Sequence, residues 1–391
     1  MKILIITQSK DIIGGANRSL LDVIIGLKEV YNYQIVVLSP GEGDFTRKIN
    51  QLGIKYYIFP YKQVSYVEKN DIFDVYRLFK SVKNELFDII LTSSVAKKLI
   101  EENFELVYIN DTTNIFGYYL AQKLHLPFVW HFRGYNKYIK KYMMNESKLL
   151  KAKGLFINIS KAMLDYMTVV RMLPIEKSTV IYNGIVNRSK PRLQPWSSNL
   201  GYGLHLLHCG HLSEAKGQTD SIKAIAELKR RGYTDIYLHL VGTPAIVRSR
   251  SYRLVLEDLA RKLFVEDQVI FEGEIKDMTT FRQNMDVELM CSISEPFGRV
   301  TVEGMQAGLI VIGCNTGATP EIITDGKTGF IYEQGNGYDL ADKIESVYTN
   351  HNLVDMVVQN SLDFVKNKFT MEQNVQLIHE ALKYTYVKYN E

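Results

Sequence analysis

Short apolar runs that alternate with helical segments most constrain the fold of this chain of 391 residues. Apolar runs bounded by turn residues are typical of buried strands, and their alternation with helices predicts parallel sheets covered on both faces. The first series of predicted strands is Lys2–Thr7, Gln34–Ser39, Lys55–Phe59, Phe87–Thr92, Glu105–Asn110, Phe128–Phe132, Leu155–Ile159 and Thr179–Tyr182. The second series is Leu204–His208, Ile236–Val241, Gln268–Glu272, Val287–Ile293, Leu309–Cys314 and Phe330–Tyr332. We therefore expect an α/β protein with two doubly wound, Rossmann-like domains.

A polar segment separates the two series. Residues 187–203 are rich in Pro, Gly and Ser, which is the composition of a linker. We therefore place the first domain at 1–187 and the second at 203–370. The remaining residues, about 371–391, have the pattern of one amphipathic helix.

Two glutamates frame the most informative motif, Glu295-Pro-Phe-Gly-Arg-Val-Thr-Val-Glu303. An apolar, strand-like run precedes Glu295, and the residues after Gly298 have helical character, so Glu295 falls in a loop and Glu303 on a helix. Ligands of open α/β sheets bind in the crevice where strands end. Because an ionised carboxylate accepts hydrogen bonds from hydroxyl groups, the pair predicts a polyol ligand such as a sugar or a ribose.

Further candidates follow other predicted strands. Gly14 and Gly15 follow the first strand, where paired glycines allow the backbone to approach a ligand and helix amides suit an anion. His211 and Lys216 follow Leu204–His208, and a lysine at such a strand end can neutralise an anionic ligand.

Two other predicted strands, Phe128–Phe132 and Ile236–Val241, end near His131 and Gly242, and a lone histidine at a strand end is by itself often a core residue. No dinucleotide fingerprint is found, because the G-x-G-x-x-G spacing is missing. An Asp-x-Asp pair is also missing, so the sequence predicts no metal site.

Taken together and in this order, these stretches resemble the motifs of retaining glycosyltransferases of the GT-B fold, in particular glycosyltransferase family 4. The resemblance covers nearly the whole chain. It implies two Rossmann-like domains with an interdomain cleft and a C-terminal helix that crosses back to the first domain. It also implies transfer of a hexose from a nucleoside diphosphate sugar, here expected to be a UDP-sugar, without a metal ion or a cofactor, since the nucleotide sugar is a substrate.

The resemblance also implies roles for individual residues. Glu303 is expected to bind the ribose hydroxyls and Glu295 the donor sugar, with Lys216 stabilising the diphosphate as it leaves. The expected catalytic residues are Glu295, Lys216 and His131. The expected donor-binding residues are Gly14, Gly15, His211, Lys216, Gly242, Glu295, Phe297, Gly298, Arg299 and Glu303.

His211 departs from the family pattern, which places arginine at this position. An imidazole lacks the fixed, bidentate charge of a guanidinium. Either Arg299 compensates for this loss or the diphosphate is bound less tightly. Retention allows two routes, double displacement by an enzyme carboxylate or a front-face attack in which the leaving phosphate itself takes the acceptor proton. We expect the second.

Two other classes of function stay open. A sugar phosphorylase or a nucleotide-sugar epimerase can share this fold. A non-catalytic subunit that binds a nucleotide sugar is the other alternative, and the His211 departure supports it.

Charge and cysteine usage bear on location. Residues 1–180 carry 25 Lys and Arg against 17 Asp and Glu, whereas the remainder is acidic. Because cations, tyrosines and methionines cluster in residues 133–153, this segment is predicted to contact an anionic membrane surface. A Lys-rich, solvated helix face is the alternative, since it gives the same composition. The three cysteines lie in apolar runs, as reduced thiols do, and neither a membrane span nor a signal peptide is recognised. We therefore expect a cytoplasmic enzyme that lies peripherally on the inner face of the plasma membrane. We expect it to bind no nucleic acid. Its expected acceptor is a saccharide or a lipid-linked saccharide of a bacterial surface polysaccharide.

Overall fold

A computed structural model describes residues 1–12, 15–62, 72–135, 146–170, 173–189, 203–247 and 250–390. The chain divides into two compact units. The first unit comprises Met1–Gly184 with Met371–Glu391, and the second comprises Ile185–Thr370. Gly14, residues 136–145 of the predicted membrane segment and residues 190–202 of the predicted linker lie outside the described residues.

Two parallel sheets organise the units. The first unit contains β1 (Lys2–Ile6), β2 (Gln34–Ser39), β3 (Lys55–Ile58), β4 (Leu106–Asn110), β5 (Phe128–Phe132), β6 (Gly154–Asn158) and β7 (Ser178–Val180). The second unit contains β8 (Leu204–Cys209), β9 (Ile236–Val241), β10 (Ile246–Val247), β11 (Arg250–Ser251), β12 (Val269–Gly273), β13 (Val287–Met290), β14 (Ile310–Cys314) and β15 (Phe330–Tyr332). Within the described residues, the short strands β10 and β11 pair with each other in an antiparallel arrangement that the sequence did not predict.

Helices connect the strands. In the first unit they are α1 (Gly15–Glu29), α2 (Asp44–Gln51), α3 (Ile72–Leu99), α4 (Ile115–Leu124), α5 (Glu146–Lys151) and α6 (Lys161–Asp165). In the second unit they are α7 (Gln218–Arg230), α8 (Tyr252–Lys262), α9 (Met278–Arg282), α10 (Arg299–Gln306), α11 (Thr319–Ile322), α12 (Gly337–Thr349) and α13 (His351–Lys368). The last helix, α14 (Met371–Asn390), returns to the first unit.

Helix α14 completes the core of the first unit, as the resemblance implied. Val375, Ile378 and Leu382 share a buried cluster with Ile3 and Ile5 of β1. Gly26 of α1 makes this packing possible, because a Cβ atom there would stand 2.5 Å from Cγ2 of Val375. The C-terminal helix is therefore an integral part of the first unit.

The two sheets have the same order over six strands, and the first sheet has a seventh strand, β7, at one edge. The first runs β3-β2-β1-β4-β5-β6-β7, and the second runs β12-β9-β8-β13-β14-β15. In each unit, therefore, the first strand lies in the middle of the sheet, between the second strand and the fourth, as in a Rossmann fold. The order reverses between β1 and β4 in the first unit and between β8 and β13 in the second. Ligands of doubly wound sheets bind at this switch point.

One predicted strand is wrong. Phe87–Thr92 is rich in β-compatible residues, but it lies inside helix α3. The buried side chains there are Asp88, Thr92, Val95 and Leu99, whereas Phe87 and Ile90 are exposed. This spacing is helical, so the periodicity of the longer segment outweighs the local strand propensity. None of the helices in the described part of the chain is both long and apolar enough to span a bilayer.

Candidate functional site in the second unit

The loops that follow β8 and β13 meet at the switch point of the second unit. These two strands are parallel neighbours, so their carboxyl ends lie at the same edge of the sheet. The amide of Ile293, after β13, donates to the carbonyl of Ala215, after β8, at 3.0 Å. The contact fixes the two loops against each other.

The loop contact brings Lys216 and Glu295 together. Nζ of Lys216 lies 2.7 Å from Oε2 of Glu295, although the residues are 79 positions apart in the chain. Their side chains are 34% and 14% exposed, so the pair is partly accessible to a ligand. A cation and a carboxylate at one strand edge present a donor and an acceptor to a polar ligand.

Gly217 makes the close approach of the loops possible. Its φ is +69°, and a Cβ atom at this position would stand 2.0 Å from the carbonyl oxygen of Cys291. No other residue type fits this position without moving one loop.

A third loop holds Glu295 from the other side. It follows β14, and the amide of Ala318 donates to the carbonyl of Glu295 at 2.9 Å. Gly317, at φ +56°, packs against the backbone of Glu295. The loop after β14 therefore fixes the backbone of Glu295, whereas the loop after β8 contacts its side chain through Lys216.

Glu303 lies on helix α10 in a different charged cluster. The nearest cations are Arg282, whose Nη1 lies 3.2 Å from Oε2, and Arg299, whose Nη2 lies 3.7 Å from Oε1. The Glu303 side chain is 18% exposed. The two glutamates of the motif are thus each paired with cations, Glu295 with Lys216 and Glu303 with two arginines.

Sequence reasoning missed the deepest pair of this cluster, Arg282 and Glu288. Nε and Nη2 of Arg282 lie 2.9 Å and 3.0 Å from the two carboxylate oxygens of Glu288. Their side chains are 4% and 0% exposed. A glutamate inside a predicted buried strand was the available signal, because a buried charge needs a partner.

The pKa values of this pair reflect burial and charge together. Burial raises the pKa of the Glu288 carboxyl, and the charge of Arg282 opposes that rise. Burial lowers the pKa of Arg282, but the carboxylates of Glu288 and Glu303 outweigh it and leave that pKa raised. Arg282 is therefore a permanent cation beside the carboxylate of Glu303.

Other predicted donor-binding residues lie in or beside these loops. His211 is exposed, and its Nδ1 lies 3.2 Å from Oγ1 of Thr243. Gly242 crosses the β8 loop so closely that a Cβ atom would stand 2.0 Å from the carbonyl oxygen of Gly210. Gly298 is the N-cap of α10 with φ +87°.

The Phe297 side chain faces the interior of the second unit. It is 2% exposed, and its ring meets that of Phe369 edge to face, with the centroids 5.6 Å apart. Only its backbone is therefore suited to the ligand contact that the resemblance implies. Nη2 of Arg299, another predicted donor-binding residue, lies 3.7 Å from Oε1 of Glu303.

His131 lies in the first unit, at the end of β5, and is fully buried. Its Nδ1 is 2.6 Å from the Tyr108 hydroxyl, and its Nε2 has no hydrogen-bond partner among the described residues. Burial, reinforced by the charge of Arg133, lowers the pKa of His131 well below its ordinary value. The imidazole is therefore neutral.

The neighbouring Arg133 is a buried cation. Its Nε donates to Oδ1 of Asn110 at 2.7 Å, and its Nη1 donates to Oδ1 of Asn183 at 2.6 Å. Gly15, the remaining predicted residue of this unit, is exposed at the start of α1. The structure thus collects Lys216, Glu295, Glu303, Arg299, His211 and Gly242 in the second unit, with His131 and Gly15 in the first.

Two family profiles match the chain. The profile of glycosyl transferases group 1 matches residues 203–363. The profile of Glycosyltransferase Family 4 matches residues 13–187. Between them they cover most of both units.

Curated relatives match over part of their length. N-acetyl-alpha-D-glucosaminyl L-malate synthase of Bacillus anthracis is 28% identical over 170 residues, which cover 44% of this chain and 42% of that protein. The capsular polysaccharide biosynthesis glycosyltransferase CapM of Staphylococcus aureus is 26% identical over 181 residues, covering 46% of this chain and 44% of CapM. The chain thus spans less than half the length of these two relatives.

Solved structures match over the whole chain. Anabaena Alr3699/HepE in complex with UDP superposes with a TM-score of 0.77 at 22% identity, covering 98% of this chain and 100% of that protein. The same protein with UDP-glucose superposes with a TM-score of 0.74 at 23% identity, with coverage of 98% and 100%. At this identity the likeness shows the fold.

Proposed function

Because the chain belongs to the family-4-like glycosyltransferases of the GT-B fold, we propose that it moves a hexose from a nucleoside diphosphate sugar to a hydroxyl group of an acceptor. A UDP-sugar is the proposed donor. The UDP and UDP-glucose complexes of the Anabaena protein support this choice.

The ion pair between Lys216 and Glu295 is the observation that carries the proposal. A diphosphate that leaves as an anion competes for the cation of Lys216, and this frees the Glu295 carboxylate for the hydroxyls of the sugar. Charges fixed before the reaction stabilise developing charge without reorganisation. One pair of side chains thereby serves both parts of the donor.

Glu303 is the proposed acceptor of the ribose hydroxyls. It is partly exposed, and neither of its ion-pair distances, 3.2 Å and 3.7 Å, belongs to a short bidentate pair. Its oxygens therefore retain lone pairs for hydroxyl groups. His131 and the Gly14–Gly15 segment keep the donor-side roles that the family resemblance assigns to them.

The proposed reaction retains the anomeric configuration and uses no metal ion or cofactor. The bond between the anomeric carbon and the diphosphate oxygen breaks, and the acceptor oxygen bonds to the same face of the sugar. The acceptor proton passes to the departing phosphate. Lys216 stabilises the negative charge, and no covalent enzyme intermediate forms.

The proposed acceptor is a saccharide or a lipid-linked saccharide of a bacterial surface polysaccharide. The capsular role in the name of the Staphylococcus aureus relative supports this pathway. The excess of Lys and Arg in residues 1–180 supports peripheral attachment to the inner, anionic face of the plasma membrane, with the enzyme otherwise in the cytoplasm.

A screen of nucleotide sugars tests the proposal. The purified chain is incubated with UDP-, GDP- and ADP-sugars, with and without inorganic phosphate, and the free nucleotide and sugar anomer are followed by NMR. We expect nucleotide release from a UDP-sugar without phosphate, and at least about 100-fold slower release with Lys216→Met. Release that requires phosphate would indicate a phosphorylase, interconversion of donor sugars an epimerase, and binding without turnover a non-catalytic subunit.

A further inference from the structure

Glu288 occupies an unusual position for a charged residue. It lies within β13, and its side chain is 0% exposed. Its carboxylate reaches helix α10 at Gly304, where a Cβ atom would stand 2.5 Å from Oε2 of Glu288. Gly304, the residue after Glu303, therefore leaves room for the buried carboxylate of Glu288 beneath helix α10.

Arg282 connects the two acidic residues. Two of its nitrogens, Nε and Nη2, are engaged by Glu288, and the third, Nη1, is the one nearest Glu303. Arg282 is the last residue of helix α9. Asp277 is the N-cap of this helix, and its side chain accepts a hydrogen bond from the amide of Thr280 at 3.1 Å. Arg282 thus approaches Glu303 with one edge of its guanidinium only.

We infer that Glu288 is a positioning residue that holds Arg282 in this one-nitrogen approach and so keeps the oxygens of Glu303 free to accept ribose hydroxyls. The inference rests on the proposed function, in which Glu303 binds the ribose. A guanidinium presents five N–H groups as a planar fork that fits a carboxylate bidentately. Among the described residues the ion pairs of Arg282 are with Glu288 and Glu303, so without Glu288 its fork can turn toward Glu303.

The consequence is specific to the ribose. A bidentate pair between Arg282 and Glu303 would occupy the same oxygens that the hydroxyl groups need. The proposed function assigns the diphosphate to Lys216, which pairs with Glu295 and not with Arg282, so we expect diphosphate recognition to be unchanged. A purely structural role for the buried pair would instead weaken all ligands together or affect stability alone.

The experiment compares UDP with 2′,3′-dideoxy-UDP by titration calorimetry. The dideoxy ligand lacks the hydroxyls that Glu303 is proposed to bind. For Glu288→Gln, which is nearly isosteric, we expect UDP to bind about tenfold more weakly, a loss of about 1.4 kcal/mol. Binding of the dideoxy ligand should be unchanged, and thermal unfolding reports whether the variant is folded.

The double variant Glu288→Gln/Arg282→Met supplies the decisive comparison. It removes the released arginine, so we expect UDP affinity to recover toward the wild-type value although a second buried residue has been changed. Replacing both members of a buried ion pair is often tolerated. This rescue also keeps the test valid if Glu288→Gln is less stable than the wild type.

Glu303→Gln separates the two levels of the argument. If it weakens UDP but not the dideoxy ligand while Glu288→Gln leaves UDP binding unchanged, the inference is overturned and the proposed ribose contact stands. Loss of rescue in the double variant would also overturn the inference. If Glu303→Gln leaves the preference for UDP over the dideoxy ligand unchanged, the ribose contact and the inference both fail.

Discussion

Nζ of Lys216 lies 2.7 Å from Oε2 of Glu295. The pair joins the loops after two neighbouring parallel strands, β8 and β13. Both side chains are partly exposed, so the pair itself adds little to stability. We therefore assign the pair a role in the reaction and not in folding.

Lys216→Met should abolish most of the transfer reaction. Removing one preorganised charge from a developing anion typically lowers kcat by about 100- to 1,000-fold. Nucleotide release from the donor measures the effect. Lys216→Arg is the matched control, since it keeps the charge and should retain more activity than Lys216→Met; equal activity of all three proteins would contradict the assigned role.

Glu295→Gln should lose transfer while the fold persists. The amide cannot accept hydroxyl donors from two sides as a carboxylate does, but it is nearly the same size. We expect kcat to fall by at least about 100-fold, with an unfolding temperature close to that of the wild type. Lys216→Met/Glu295→Gln should be much less damaging than the sum of the single changes, because the two residues contact each other. Full additivity in this cycle would show that the residues act independently.

Gly217→Ala should destabilise the second unit through a backbone clash. The added Cβ atom would stand 2.0 Å from the carbonyl oxygen of Cys291. Gly326 is a matched control, because it has the same φ of +69° and a Cβ atom there would meet nothing within 4 Å. We expect Gly326→Ala to cost about 1 kcal/mol and Gly217→Ala about 2 kcal/mol more, measured by urea unfolding. Equal costs would mean that the loops move apart freely.

Stability should depend on pH through His208. Burial, followed by the charge of Lys216, lowers the pKa of this histidine from 6.5 to about 4. Between these two values the unfolded histidine binds a proton and the folded one does not. The free energy of unfolding therefore falls as pH falls through this window, by up to about 3 kcal/mol for this residue.

The variant His208→Asn tests this assignment. It retains a polar partner for Ser221, whose Oγ lies 2.7 Å from Nδ1 of His208. Urea unfolding between pH 7 and pH 4 should show a smaller loss of stability in the variant than in the wild type. His131, which also has a lowered pKa, contributes in the same direction and is unchanged in both proteins. An identical pH dependence would exclude His208 as a source of acid sensitivity.

His211→Arg should tighten diphosphate binding. The native side chain is exposed beside Thr243, and an arginine adds a fixed charge with a fork that matches phosphate oxygens. We expect UDP to bind about tenfold more tightly, as measured by calorimetry. His211→Gln adds no charge and should bind UDP like the wild type, so equal affinities of the Arg and Gln variants would place His211 away from the diphosphate.

Much of the second unit could be predicted from its sequence. Lys216 and Glu295 both follow predicted strands, and the topology of a doubly wound sheet brings those strand ends to one edge. The helical position of Glu303 is also confirmed, since it lies in α10. The periodicity of apolar residues indicates where the strands and helices lie, and it is visible in a single sequence.

Side-chain partners across elements were harder to predict. Arg282 and Glu288 are only six positions apart, but they pair because the end of α9 packs beside β13. No local sequence pattern indicates this packing. Phe87–Thr92 was predicted as a strand because its composition favours β structure, whereas the packing of a long helix decides the outcome. The hydrogen bond of His131 is likewise made to Tyr108, a residue of the neighbouring strand.

A crystal structure of the chain with bound UDP-sugar tests the central claim most directly. The account predicts Lys216 within ion-pair distance of the diphosphate, Glu295 on the hydroxyls of the sugar and Glu303 on the ribose. A nucleotide sugar bound elsewhere, with Lys216 and Glu295 still paired only with each other, would contradict it.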